Sequence, residues 1–154
     1  MGASFSVLAL FFKLGLQPDV TTVNTLIRGL GLDSRVHEAD ALVRKIAFFG
    51  EGCKPNAVTF GTLIDASCKP RQNGRAIQML RLMEKYDCQL YVVVYSTIID
   101  SLCKDQLVAE AFKLFSEMES KGIPPNIVTY TSLFLGLCKS CPSEATQFFT
   151  EIEE

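Results

Sequence analysis

Ile127-Val128-Thr129-Tyr130-Thr131-Ser132-Leu133 is the stretch whose reading decides the fold, because it returns along the chain. Ala57-Val58-Thr59-Phe60-Gly61-Thr62-Leu63 and Val92-Val93-Val94-Tyr95-Ser96-Thr97-Ile98 echo it, and Val20-Thr21-Thr22-Val23-Asn24-Thr25-Leu26 is the earliest copy. The copies start at 20, 57, 92 and 127, at spacings of 37, 35 and 35 residues. Self-similarity at a period near 35 marks a repeat array, in which each unit is one supersecondary element and its neighbours complete the core.

Each copy opens an apolar stripe at helical spacing. Val23, Leu26, Ile27 and Leu30 form the first, and Tyr95, Ile98, Ile99 and Leu102 the cleanest. Phe60, Leu63 and Ile64 form another, weakened by Ser67, and Tyr130, Leu133, Phe134 and Leu137 the last. A second stripe follows in every unit: Ala39, Leu42, Val43, Ile46; Ala76, Met79, Leu80, Met83; Ala111, Leu114, Phe115, Met118; and Ala145, Phe148, Phe149, Ile152. The first helix of unit one is predicted from about Thr22 to Leu30, with a turn over Gly31–Ser34. Pro70 falls in the next such turn, where a helix must stop. Pro55-Asn56 and Pro124-Pro125-Asn126 close units, and Gly15 ends an earlier helix.

These signals predict an all-α chain, a row of antiparallel helix hairpins. Residues 1–19 read as the second helix of an incomplete repeat, followed by repeats over 20–56, 57–91 and 92–126 and an incomplete one over 127–154. The Ala111 to Ala145 spacing of 34 places a one-residue deletion near Cys141-Pro142. The chain opens inside a repeat and its last repeat lacks a closing loop, which reads as a truncated product or fragment. Uncapped apolar faces at both ends would favour self-association.

Composition narrows the function. Charged residues are 21% of the chain and the net charge is -2, so bulk charge exerts little pull on nucleic acid, and any RNA contact needs a local stripe. The apolar run Val7 to Phe12 is far too short to cross a bilayer, and no membrane contact is expected. Cys68, Cys103 and Cys138 recur 35 apart, as do Cys53 and Cys88, and read as small buried hydrophobes carried by the repeat. Cys138 and Cys141 form a CxxC with no second pair, so no metal or redox site is expected, and His37 reads as solvent-facing. No Ser/His/Asp set, phosphate loop or zinc-deaminase motif appears, so catalysis and cofactors are not expected.

The recurring Val-Thr-Tyr-x-Thr-Leu-Ile opening resembles the pentatricopeptide repeat family. So do Leu-Cys-Lys at 102–104 and 137–139, Glu-Ala at 110–111 and 144–145, and the Pro-Asn endings. The chain looks most like the plant P-type subgroup, and lacks the Trp of tetratricopeptide patterns. The resemblance implies a right-handed α-solenoid of about 35-residue repeats that binds single-stranded RNA, one base per repeat, parallel to the RNA. It implies base readers at Asn24, Gly61, Ser96 and Thr131 on the first helices, and at Asn56, Tyr91 and Asn126 at the unit ends. Thr21, Val58, Val93 and Val128 would sandwich bases, and Lys69, Lys104 and Lys139 would contact phosphates. Family analogy gives a site of pyrimidine, any base, A, purine, with Gly61 and Tyr91 off the code. It implies organelle RNA processing, stability or translation, in the mitochondrion or alternatively the chloroplast, alongside other organelle RNA-processing proteins. A protein-interaction scaffold and a truncated non-functional fragment are the competing readings.

Overall fold

The computed structural model of the chain describes residues 6, 9–11, 13–32, 35–46, 55–68, 72–85 and 92–153. Ahead of the first complete pair, residues 9–11 and 13 are helical and the chain turns at Gly15 with φ +70°. Eight helices follow: α1 Val20–Leu32, α2 Val36–Ile46, α3 Ala57–Cys68, α4 Asn73–Lys85, α5 Val92–Lys104, α6 Val108–Ser120, α7 Ile127–Ser140 and α8 Pro142–Glu153. They pair as antiparallel hairpins, α1 with α2 and so on to α7 with α8. Among the described residues there is no strand.

The core is built from the two predicted stripes. Ile27, Phe60, Leu63, Tyr95, Ile98, Ile99 and Leu102 are sealed on the first helices, and Val43, Ala76, Leu80, Ala111 and Met118 on the second. Most of them join one continuous cluster from Val23 to Leu133, which no single hairpin could bury. Phe148 continues the aromatic packing at the far end, standing edge-on to Phe112 at 5.3 Å between ring centres. Ile152, expected in the final stripe, is exposed.

Each first helix lies against the first helix of the next unit, α1 on α3, α3 on α5 and α5 on α7. Second helices instead reach the next unit's first helix, α2 to α3, α4 to α5 and α6 to α7. The closer row lies inside the curve, so the chain is an α-solenoid with its first helices on the concave wall. The approach of α5 to α7 is tightest at Gly136, where an added Cβ would stand 3.0 Å from Cys103 Cβ and Sγ. That contact explains why a small residue at 136 and a cysteine at 103 suit each other.

Two expectations need adjustment. α1 runs through Gly31 and Leu32, because glycine costs a helix only about 1 kcal/mol and does not by itself end one. Residues 33 and 34, the rest of the expected turn, lie outside the described residues. Cys103 is buried where α7 closes on it at Gly136, but Cys138 is exposed and Cys68 and Cys141 are only half-buried. Burial pushes the Cys68 and Cys103 thiols up to about 11, so both stay protonated at neutral pH. Cys53, Cys88 and Pro70 lie outside the described residues. His37 is exposed at the start of α2 as expected, and its Nδ1 faces Arg75.

The one-residue deletion lies where the spacing located it. Asp105, Gln106 and Leu107 join α5 to α6, whereas Cys141 alone joins α7 to α8. The longer link uses Gln106 at φ 63° to return the Leu107 N–H to Leu102 O at 2.9 Å. The shorter one starts α8 directly on Pro142, a residue suited to the first helical position.

Candidate nucleic-acid interface

The polar residues of the concave wall gather at the unit boundaries, and each gathering is built on a helix cap. Asn126 caps α7: its Oδ1 accepts the Thr129 N–H at 3.0 Å and the Thr129 hydroxyl at 3.0 Å. The Asn126 N–H points back to Thr129 Oγ1 at 3.4 Å, which completes a reciprocal capping box. Ser96, from the preceding unit's first helix, places its hydroxyl 2.7 Å from Thr129 Oγ1 and 3.3 Å from Asn126 Oδ1. Ser96, Asn126 and Thr129, the third residue of the next unit, thus form one cluster.

The same three-part cluster recurs 70 residues earlier in the register. Thr59 N–H donates to Asn56 Oδ1 at 3.0 Å, and Asn56 N–H donates to Thr59 Oγ1 at 3.1 Å. The Thr59 hydroxyl donates to Asn24 Oδ1 across the boundary. At the head of α1, Asp19 Oδ1 accepts the Thr22 N–H at 2.8 Å and its hydroxyl at 2.7 Å, which hold the Asp19 carboxyl below its ordinary value. The boundary between Gly61 and α5 differs: Gly61 has no side chain to offer, and Val94, buried, stands where the other units carry threonine.

The expected base readers do not share one environment. Asn56 and Thr131 are exposed, and Asn24, Gly61 and Asn126 are half-buried. Ser96, expected on the open wall, is only 3% exposed, because the capped start of α7 folds over it. Tyr91 and Lys69 lie outside the described residues. Val58, Val93 and Val128 are exposed at 62%, 64% and 50%, and Thr21 is exposed as well. Each precedes its unit's first-helix reader by three residues and so sits on the same helix face. Exposed β-branched apolar groups beside short polar ones give a flat contact and a hydrogen-bonding edge at one place.

Lys104 and Lys139 line one shallow groove between α5 and α7, together with Asp100, Ser132 and Gly136. Each lies eight residues beyond its unit's reader, about 12 Å further along the same helix face. The hydrogen bond that Lys104 donates to Asp100, at 2.5 Å, raises the Lys104 ammonium above its ordinary value, and the carboxylate offsets part of its charge in the free chain. Ser132 donates to the other Asp100 oxygen at 3.1 Å. Leu32 occupies the lysine position in unit one, so the ladder begins only after it.

Thr59 and Thr129 were not singled out by sequence reasoning, although both are fully buried and tie the readers together. The signal was present as Asp/Asn-x-x-Thr at 19–22, 56–59 and 126–129, a capping pattern that falls on every boundary with a polar closing residue. No group of His, Cys, Asp and Glu able to hold a metal occurs among the described residues. No helix among them is long and apolar enough to cross a membrane.

Stacked helix pairs with capped polar clusters at two of their boundaries define an α-helical repeat protein. The model of the PPR repeat family matches residues 91–139, and that of the PPR repeat matches 14–47 and 51–84. The chain belongs to the pentatricopeptide repeat family. A pentatricopeptide repeat-containing protein of Arabidopsis thaliana is 35% identical over 80 residues, covering 49% of this chain and 15% of the relative. Another, whose name carries the word mitochondrial, is 55% identical over 40 residues, covering 26% of this chain and 7% of the relative. The chain therefore spans only a small part of the length of these curated relatives. Among solved structures, maize PPR10 superposes with a TM-score of 0.85 at 24% identity, over 97% of this chain and 21% of PPR10. PPR10 in complex with an 18-nt psaJ RNA element gives 0.77 at 24% identity, over 94% and 21% of the two chains. These likenesses show the fold.

Proposed function

We propose that the chain is a single-stranded RNA-binding module, reading one base at each unit boundary. The observation that carries this is the recurrence of capped polar clusters at Asn24–Asn56–Thr59 and Ser96–Asn126–Thr129, each beside an exposed Val or Thr. RNA specificity of this kind needs unstacked bases, apolar contact to their faces and hydrogen bonds to their edges. Lys104 and Lys139, on the same wall, supply sequence-independent attraction to phosphate. That PPR10 is crystallised with an RNA element supports the same reading.

The proposed register runs pyrimidine, any base, A, purine from unit one to unit four, with the RNA parallel to the chain. Asn24 with Asn56 takes C over U, and Asn126 with Ser96 takes A. Asn126, half-buried, makes the base contact there, while Ser96, at 3% exposure, acts mainly by holding it. Gly61 leaves the second place unread. Three and a half units make a short address, so the segment alone binds weakly; its plain 35-residue units are of the plant P-type kind. The setting we propose is organelle RNA processing, stability or translation, in the mitochondrion ahead of the chloroplast.

Short RNAs that match or mismatch this register, titrated at several salt concentrations, test the reading. Matched RNA is expected to bind more tightly, and Ser96→Asn is expected to shift the preference at the third place from A toward C. Equal affinity for all sequences would remove base reading, and a peptide-binding groove would then be the better account.

A further inference from the structure

The two clusters share a feature that neither reader supplies. In each, the closing reader's oxygen faces two groups of one threonine, the backbone N–H of Thr59 or Thr129, which can only donate, and its hydroxyl at 3.1 or 3.0 Å, which valine would remove. The amide is therefore fixed with Oδ1 inward, and its NH2 is the only group left for a ligand. The threonine hydroxyl then reaches over the boundary to the first-helix reader, Asn24 or Ser96. Both threonines are 0% exposed, so they touch no ligand themselves.

Resting on the RNA-reading proposal above, we infer that Thr59 and Thr129 are positioning residues for base specificity. They lock the closing amide as a hydrogen-bond donor and couple it to the reader of the preceding helix. In the Asn126 cluster the Ser96 hydroxyl hydrogen is taken up inside, by Thr129 or by Asn126 Oδ1, so Ser96 holds the amide and leaves the Asn126 NH2 to meet the base. That donor suits the N1 acceptor of adenine and opposes the N1–H of guanine, which is itself a donor. In the first cluster, with Asn24 Oδ1 turned to Thr59, two amide NH2 groups face the ligand and call for two adjacent acceptors. Cytosine offers them at N3 and O2. The chain contains its own counter-example: with Gly61 and Val94, the second boundary has neither a first-helix side chain nor the threonine lock, and is expected to accept any base.

Two measurements on the full chain, wild type, Thr129→Val and Thr129→Ser, test the inference. Valine keeps the shape and already occupies the equivalent place at residue 94. In binding to short RNAs differing only at the third place, wild type is expected to favour A over G by roughly tenfold, the worth of one good base contact. Thr129→Val is expected to lose this preference and Thr129→Ser to restore it. Side-chain amide relaxation of Asn126 by NMR, without RNA, is expected to report an ordered NH2 in wild type and Thr129→Ser and a mobile one in Thr129→Val. Undiminished A preference in Thr129→Val, or an equally ordered amide in all three, overturns the positioning role. Should Thr129→Val fail to fold, Thr59→Val and Thr59→Ser repeat the test at the first place, with C against U and the Asn56 amide. A wild type indifferent to the base defeats RNA reading itself, and the relaxation result still judges the lock separately.

Discussion

Ser67 sits on α3 where Leu30, Leu102 and Leu137 sit on the other first helices. It is fully buried, and its hydroxyl has no hydrogen-bond partner among the described residues. A buried hydroxyl without a partner costs about 1–3 kcal/mol, more than its small apolar surface returns. Ser67→Ala removes that cost and adds helix propensity, and is expected to raise stability by about 1 kcal/mol, read from the urea midpoint. A lower midpoint would mean that the hydroxyl is bonded in solution. The contrast with Thr59 and Thr129 is instructive. All three are small hydroxyl residues buried on first helices, yet only the threonines meet partners, because they lie at the capped end where orphan N–H groups and Asn oxygens converge. Sequence spacing could identify Ser67 as a weak point in a stripe. The burial of Ser96, by contrast, depends on the start of a helix thirty residues later, and no local pattern carries that.

Helices were legible where apolar period and repeat register agreed, and less so at their ends. Tyr95, Ile98, Ile99 and Leu102 are all sealed, as their spacing required. The extension of α1 through Leu32 was missed because Gly31 was weighed as a stop, when no left-handed turn falls on it; Gly15 and Gly122, both at φ +70°, are the true stops. At Gly122 the Ile123 N–H returns to Met118 O at 3.1 Å, the closing bond of a Schellman turn. Starts depend on Asx caps. Asn126 satisfies the Thr129 N–H of α7 and touches two other polar groups, so its loss should be felt by the whole element. Asn126→Ala is expected to cost about 1 kcal/mol, with amide exchange speeding up first in the opening turn of α7. Faster exchange spread evenly along α7 would show that the cap acts on packing and not on the helix start.

At the scale of the whole molecule, the first helices hold one another by direct packing, while the second helices need another tie. Charged side chains provide it. Arg81 of α4 grips Glu117 of α6, with Nη2 2.6 Å from Oε2, and Lys121 just beyond α6 reaches Glu117 at 2.5 Å and Glu84 of α4. The buried Tyr95 sends its hydroxyl into the same group, 3.1 Å from Lys121 Nζ and 3.3 Å from Glu117 Oε1. The Arg81 hydrogen bond, aided by Lys121, holds the Glu117 carboxyl down at about 2, against an ordinary 4.5. For Lys121, burial works against the ammonium, but bonds to Glu117, Glu84 and Tyr95 outweigh it and raise it above its ordinary 10.5. The signs follow from linkage. A depressed carboxylate stabilises the fold fully above 4.5 and loses that contribution as pH falls toward 2. A raised ammonium contributes fully below 10.5 and loses its share only as pH climbs beyond. Because Glu117 is partly solvated, its share is about 1 kcal/mol and not the larger figure the bare shift would give. Urea midpoints followed through the acid range are expected to fall between pH 4.5 and 2 in wild type and to show a shallower fall in Glu117→Gln, which is already weaker at neutral pH. Superimposable acid profiles would mean that the second helices are held together by their contacts with the neighbouring first helices alone.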